Sequence, residues 1–238
     1  MALYLGGTEN DNFLLGSHNS GDIVYADGAT TPNEPYGNNL IIAGRGADTL
    51  YGGYGHDTIV GGRGDDMIIG YGLARASPAG ADRYAGQDKS GHLDGGAGND
   101  TVLGGGGDDV IFGGTGHDRL FGGSGVDRIQ GGTGDDLISS GAGADLLWGG
   151  AGHDVFQYRY NSNIIQTSYD ANDGTDTIFD FKPGTDRIDL TGYSVSENEV
   201  QLVDTARGLE VHFTAVYQEA RIDLLGVHAL QPGDIAFA

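Results

Sequence analysis

The chain has 238 residues, 46 of them glycine, with 34 acidic side chains against 12 basic ones and a formal net charge of -22. That balance excludes a nucleic-acid surface, which needs basic groups against phosphate, and argues equally against an anionic membrane surface. It suits a chain that gathers cations. Cysteine is absent, which excludes disulfides and thiolate metal sites.

The first residues, MALYLGGTENDN, lack the basic and apolar regions of a cleaved secretory signal. No apolar run approaches the roughly 18 residues of a spanning helix. Residues 6–14 (GGTENDNFL) and 34–42 (EPYGNNLII) are degenerate nine-residue units, the first with Glu9 where glycine is expected and the second with Asn39 where aspartate is expected. Loops are expected near 16–33 and 70–92.

From Ala43 the period becomes regular. AGRGADTLY, GGYGHDTIV and GGRGDDMII are followed, after residues 70–94, by seven contiguous copies from Gly95: GGAGNDTVL, GGGGDDVIF, GGTGHDRLF, GGSGVDRIQ, GGTGDDLIS, SGAGADLLW and GGAGHDVFQ. Positions 2 and 4 are always glycine, position 6 is always aspartate and position 8 is always apolar, while positions 3, 5 and 7 read as variable. A short internal period of this kind decides the architecture. Glycine permits tight turns and close backbone approach. The residues around position 8 read as a short strand with one inward side chain. Two units then make one coil of a flattened helix of parallel strands, with a turn on each edge.

Such a roll has a thin core. One buried aliphatic per nine residues contributes roughly 1.5–3 kcal/mol, whereas ordering each residue's backbone costs about 1–2 kcal/mol. Stacked aspartates also repel one another. A bound cation must supply the difference, and carboxylate and carbonyl oxygens without fixed His or Cys point to calcium. Magnesium demands a tighter octahedron, and zinc prefers nitrogen or sulfur.

The repeat resembles the RTX calcium-binding β-roll nonapeptide. That resemblance implies an all-β fold, a right-handed parallel β-roll with a C-terminal β-strand cap. It implies several calcium ions, about six, held between coils by position-6 aspartates and turn carbonyls. The aspartates are Asp48, Asp57, Asp66, Asp100, Asp109, Asp118, Asp127, Asp136, Asp145 and Asp154. The glycines of the turns are Gly44, Gly46, Gly53, Gly55, Gly62, Gly64, Gly96, Gly98, Gly105, Gly107, Gly114, Gly116, Gly123, Gly125, Gly132, Gly134, Gly141 and Gly143.

Residues 176–193, DTIFDFKPGTDRIDLTGY, resemble the domain that follows such repeats in serralysin-type metalloproteases and the R-modules of mannuronan C-5 epimerases. Their apolar residues read as strands around a turn at Pro183–Gly184, with further strands at 200–204, 209–214 and 220–225. The aspartates of this part, Asp173, Asp176, Asp180, Asp186 and Asp189, read as turn residues as readily as ligands. The ending Asp234-Ile235-Ala236-Phe237-Ala238 resembles the secretion signal region of type I substrates. The chain divides into residues 1–42, degenerate repeats and loop; 43–157, the calcium-binding roll with an irregular coil near 70–94; and 158–238, the cap and signal region.

His56, His117 and His153 share position 5, too far apart along the repeat for a zinc site. Tyr51, Phe112, Phe121 and Trp148 share position 9, which points outward, either to stack on sugar rings or to pack under a loop. No H-E-x-x-H or G-x-S-x-G motif occurs, so no enzymatic activity is expected of this chain. The expected function is a secreted, calcium-folded module, with type I secretion machinery and an acidic polysaccharide such as alginate as partners. Arg75, Arg83 and Lys89 are the cations offered to that glycan. The alternatives are a secretion and stability appendage of a secreted enzyme, or a small toxin or adhesin.

Overall fold

The structure, a computed structural model, describes residues 3–5, 13–15, 22–25, 38–53, 55–70, 90–159, 174–193, 195–215 and 218–237. It is a parallel β-roll. The N-terminal strands are β1 (Leu3–Leu5), β2 (Phe13–Leu15), β3 (Ile23–Tyr25), β4 (Leu40–Arg45), β5 (Thr49–Tyr51), β6 (Thr58–Arg63) and β7 (Met67–Ile69). The regular stretch supplies β8 (His92–Ala97), β9 (Thr101–Gly106), β10 (Val110–Thr115), β11 (Arg119–Ser124), β12 (Arg128–Thr133), β13 (Leu137–Ala142), β14 (Leu146–Ala151) and β15 (Val155–Arg159). The C-terminal part adds β16 (Thr175–Ile178), β17 (Arg187–Gly192), β18 (Gln201–Thr205), β19 (Gly208–Ala215), β20 (Gln218–Leu225) and β21 (Ile235–Ala236).

Odd strands from β1 to β17, then β21, form one sheet. Even strands from β2 to β16 form the other, extended by β20, β19 and β18. Among the described residues every pairing is parallel except β18 with β19 and β19 with β20. Between regular coils the register advances by 18 residues, as in Ile111 against Ile129 and Leu120 against Ile138. Two nine-residue units therefore make one coil. Most regular strands run six residues rather than three, because glycines at positions 1 and 2 stay in the ladder, as in Gly114 against Gly132.

The core is a ladder of position-8 side chains. Leu50, Ile59, Ile68, Leu93, Val102, Ile111, Leu120, Ile129, Ile138 and Leu147 are at most 1% exposed. The ladder ends on aromatic packing, with Phe156 against Phe181 and Phe213 against both Tyr158 and Tyr193.

Two expectations change. Residues 22–25 do not all belong to a loop, since Ile23–Tyr25 pairs with both Leu3–Leu5 and Thr49–Tyr51. His92–Asp94 is not irregular either; it pairs in register with Thr58–Val60 and with Val110–Phe112. The long coil is absorbed where Asp66 meets Asp100, 34 residues away, and strand register resumes at once. The strands expected around the turn at Pro183–Gly184 are present, at Thr175–Ile178 and Arg187–Gly192. β16 and β17 lie in opposite sheets, and the turn between them is one more edge of the roll.

Candidate calcium-binding edges

Each coil presents one turn on each edge. On the first edge the position-6 residues are Asp48, Asp66, Asp100, Asp118, Asp136 and Asp154, joined by hydrogen bonds of 2.7–3.1 Å from each backbone N–H to Oδ1 of the next aspartate. On the second edge Asp109, Asp127 and Asp145 repeat the bond at 2.8 Å. Asn39 and Asp57 do the same further along, and Gly91 donates to Asp109 from the position an aspartate would hold. Complete turns thus face one another in five pairs on the first edge and two on the second. This exceeds the sequence-based count by the pair bridging the long coil.

All ten repeat aspartates are at most 3% exposed. Oδ1 is used by the ladder. Oδ2 of Asp48, Asp66, Asp100, Asp118, Asp127, Asp136 and Asp154 is buried and accepts no hydrogen bond from the protein. A buried, uncompensated carboxylate oxygen is strongly unfavourable. Burial accordingly raises these carboxyls from 3.8 to about 7 in Asp66, Asp100 and Asp136, to about 8 in Asp127 and to about 6 in Asp154. Neighbouring aspartates add repulsion, while the backbone N–H donor works the other way.

The glycines make this approach possible. A Cβ on Gly61 would lie 2.5 Å from Asp66 Oδ2 and 2.7 Å from the Gly95 carbonyl. Gly132 needs its lack of a side chain twice: its φ is +119°, and a Cβ would run into the Gly114 carbonyl. Carboxylate and carbonyl oxygens are thereby packed along both edges. Among the described residues, no three His, Cys, Asp or Glu side chains gather as a metal cluster. A cation here would draw on aspartates and main-chain carbonyls, an all-oxygen set that fits calcium.

Position 5 is not free to vary in function. Its side chain accepts the N–H of the position-5 residue one coil on: the His117 N–H donates to Asn99 Oδ1 (2.7 Å), the Asp135 N–H to His117 Nδ1 (2.8 Å) and the His153 N–H to Asp135 Oδ1 (2.8 Å). His56 and Val126 receive the same support from Asn38 and Asp108. The recurring Asp, Asn and His at this position were the overlooked signal.

The C-terminal turns extend the edges. Asp176 Oδ1 accepts the Asp145 N–H (2.9 Å) and Asp186 Oδ1 the Asp154 N–H (3.2 Å). Asp234 precedes β21 and receives the Gly184 N–H (2.8 Å). Each begins, like the repeats and like Asp22-Ile23-Val24, an aspartate strand start, and this short pattern is what the sequence offered for finding them.

The position-9 aromatics form no continuous row. In the ladder Gln130 separates Phe112 from Trp148, and Phe121 lies on the other sheet between Leu103 and Ser139. Among the described residues two local stacks occur instead: Tyr25 on Tyr51 (4.5 Å) and Trp148 on Phe179 (4.4 Å, 8° between planes). Arg75, Arg83 and Lys89 lie outside the described residues.

The RTX calcium-binding nonapeptide repeat (4 copies) matches residues 36–68, 86–120 and 121–156. These segments are RTX calcium-binding repeats. The roll they build is a calcium-binding β-roll. Among solved structures, the chain is similar to the solution structure of the AlgE6R3 subunit from the Azotobacter vinelandii mannuronan C5-epimerase. Identity is 27%, covering 63% of this chain and 80% of that one, with a TM-score of 0.34. No curated protein sequence matches the chain.

Proposed function

We propose that the protein is a secreted module whose roll folds around calcium, and that the aspartates and turn glycines named above are the ligands. The observation that carries this reading is the set of buried Oδ2 atoms without a protein donor. Calcium between facing turns would take these oxygens together with the carbonyls of glycines such as Gly96, Gly114 and Gly132. It supplies the positive charge that two facing aspartates need. Metal binding then becomes folding free energy. In a cytosol poor in calcium the chain stays extended enough to thread a type I exporter; outside, at the calcium concentrations that saturate extracellular modules, it folds.

The partner proposed for the folded roll is an acidic polysaccharide of the alginate kind. Its support is the Trp148–Phe179 stack on the outer face of the even-strand sheet, with exposed Arg128 on the same face one coil away. Aromatic faces stack on sugar rings, and an arginine pairs with a uronate carboxylate. Calorimetry in saturating calcium tests it, with alginate and a neutral glucan. Saturable alginate binding that is lost in Trp148→Ala and weakened in Arg128→Ala supports the reading. No heat with either sugar, from protein shown to be calcium-folded, assigns the chain to the alternative role, a non-catalytic secretion and stability appendage.

A further inference from the structure

The first edge ends in an unusual way. Along it, each position-2 carbonyl points at the next position-2 glycine: Gly96 at Gly114, Gly114 at Gly132 and Gly132 at Gly150. The Gly150 carbonyl is the last of this series, and the turn that follows, residues 180–186, is not a repeat. There the side chain of Lys182 donates from Nζ to the Gly150 carbonyl oxygen. Both oxygens of Asp180 accept N–H groups of the same repeat turn, from Gly149 and Gly150, each at 2.9 Å. Asp186 Oδ2 is turned to the Lys182 N–H at 2.8 Å. The Lys182 charge also acts on both Asp154 and Asp186, holding their carboxyls lower than burial alone would set them.

We propose that the Lys182 ammonium is the terminal cation of this edge, a tethered substitute for calcium between the last repeat turn, residues 149–154, and the turn 180–186. It contributes a compact positive charge with three donors on a flexible stem, set against a main-chain carbonyl and two aspartates of facing turns. A calcium ion in the same gap would be repelled by it. Lys182 therefore closes the series of ion sites, and the junction of roll and cap is held without metal. A protein donor also meets a turn carbonyl at the opposite end of the second edge. There Asn39 replaces aspartate, and its Nδ2 donates to the Gly52 carbonyl at 3.0 Å.

This inference rests on calcium binding by the repeats, and the test separates the two. Calcium ions bound at saturation are counted by native mass spectrometry, and the calcium midpoint of folding is read by circular dichroism, for the full chain and for Lys182→Met and Lys182→Arg. Methionine keeps the stem and removes the charge. Lys182→Met is expected to bind one more ion than the parent, or to keep the count with a midpoint raised about two- to fivefold, the size of an exposed charge pair. Lys182→Arg is expected to match the parent in both. If Lys182→Met fails to fold while Lys182→Arg folds, the charge is required and the proposal stands. Lys182→Met equal to the parent in count and midpoint overturns it, as does equal disturbance by both variants. A parent chain that binds no calcium instead defeats the reading of the repeats.

Discussion

Two sets of aspartates do the same job on the same edges and differ in one oxygen. In repeats and C-terminal turns alike, Oδ1 accepts a backbone N–H from a neighbouring turn. In the C-terminal turns Oδ2 also has a protein donor: the Ser140 hydroxyl for Asp176 (3.1 Å), the Lys182 N–H for Asp186 (2.8 Å) and the Gln231 N–H for Asp234 (2.7 Å). In Asp48, Asp66, Asp100, Asp118, Asp127, Asp136 and Asp154, Oδ2 has none. The fold tolerates either solution. On the proposed reading calcium dependence is a property of what faces Oδ2, and the roll divides into turns that need the ion and turns that do not.

The steepest contrast is steric. Gly132→Ala forces a Cβ into the Gly114 carbonyl at φ +119°, and the expected loss is about 4 kcal/mol or more, as for gross core defects. Gly233→Ala, at φ +98° with open space around it, is expected to cost only the backbone strain of about 1–2 kcal/mol. Urea unfolding in saturating calcium compares the two; equal losses would mean that repeat coils are no more tightly stacked than the terminal turn.

Next in size is the carboxylate itself. Asp127 faces turns on both sides, so Asp127→Asn is expected to lower the number of bound calcium ions. It should also lose about 2.7 kcal/mol at calcium levels 100 times the dissociation constant. Asp234→Asn is expected to leave the count unchanged and to cost about 1 kcal/mol, the worth of a hydrogen bond. Native mass spectrometry with paired melts reads both. An unchanged count in Asp127→Asn would contradict the assignment of the repeat aspartates.

Proton competition gives the smallest and most general effect. Burial raises the carboxyls of Asp48 and Asp118 above 3.8, and those of Asp66, Asp100, Asp127, Asp136 and Asp154 into a range of about 6 to about 8. A carboxyl whose folded value is raised stabilises the metal-free fold fully below about 4, and that stability is lost as pH rises through the raised values. Calcium-free protein is therefore expected to gain strand content on acidification from pH 8 to 4. Calcium, which binds the ionised form, should bind more tightly at pH 8 than at pH 6. Circular dichroism across pH on dialysed protein checks this, and strand content indifferent to pH would contradict it.

The repeat was legible because each fixed position answers to one physical demand: close backbone approach at Gly114 and Gly132, an edge carboxylate at Asp118, one inward side chain at Ile129. What escaped reading lies where loops of uneven length break the period. Ile23–Tyr25 reads as loop, and the strand Thr175–Ile178 reads without its place in the roll, because the two join the sheets at register shifts of 26 and 31 residues instead of 18. No nine-residue frame finds them; only an aspartate followed by an apolar residue two places on marks their start. Position 5 was missed for a different reason. Asp, Asn and His look unrelated by size, yet each offers an acceptor to the next coil. The oxygen that separates the two kinds of turn leaves no mark on the aspartate itself, because its donor is one hydroxyl, of Ser140, or a main-chain N–H, of Lys182 or Gln231, which no residue type announces.

The most direct measurement is hydrogen exchange read by mass spectrometry on the full chain, with and without calcium. Strands β9 to β14 are expected to be protected only when calcium is present. The β19–β20 hairpin, whose pairing requires no repeat turn, keeps protection in its absence. Equal protection of β9 to β14 in calcium-free protein at neutral pH would mean that the buried aspartate oxygens do not make this roll depend on the ion.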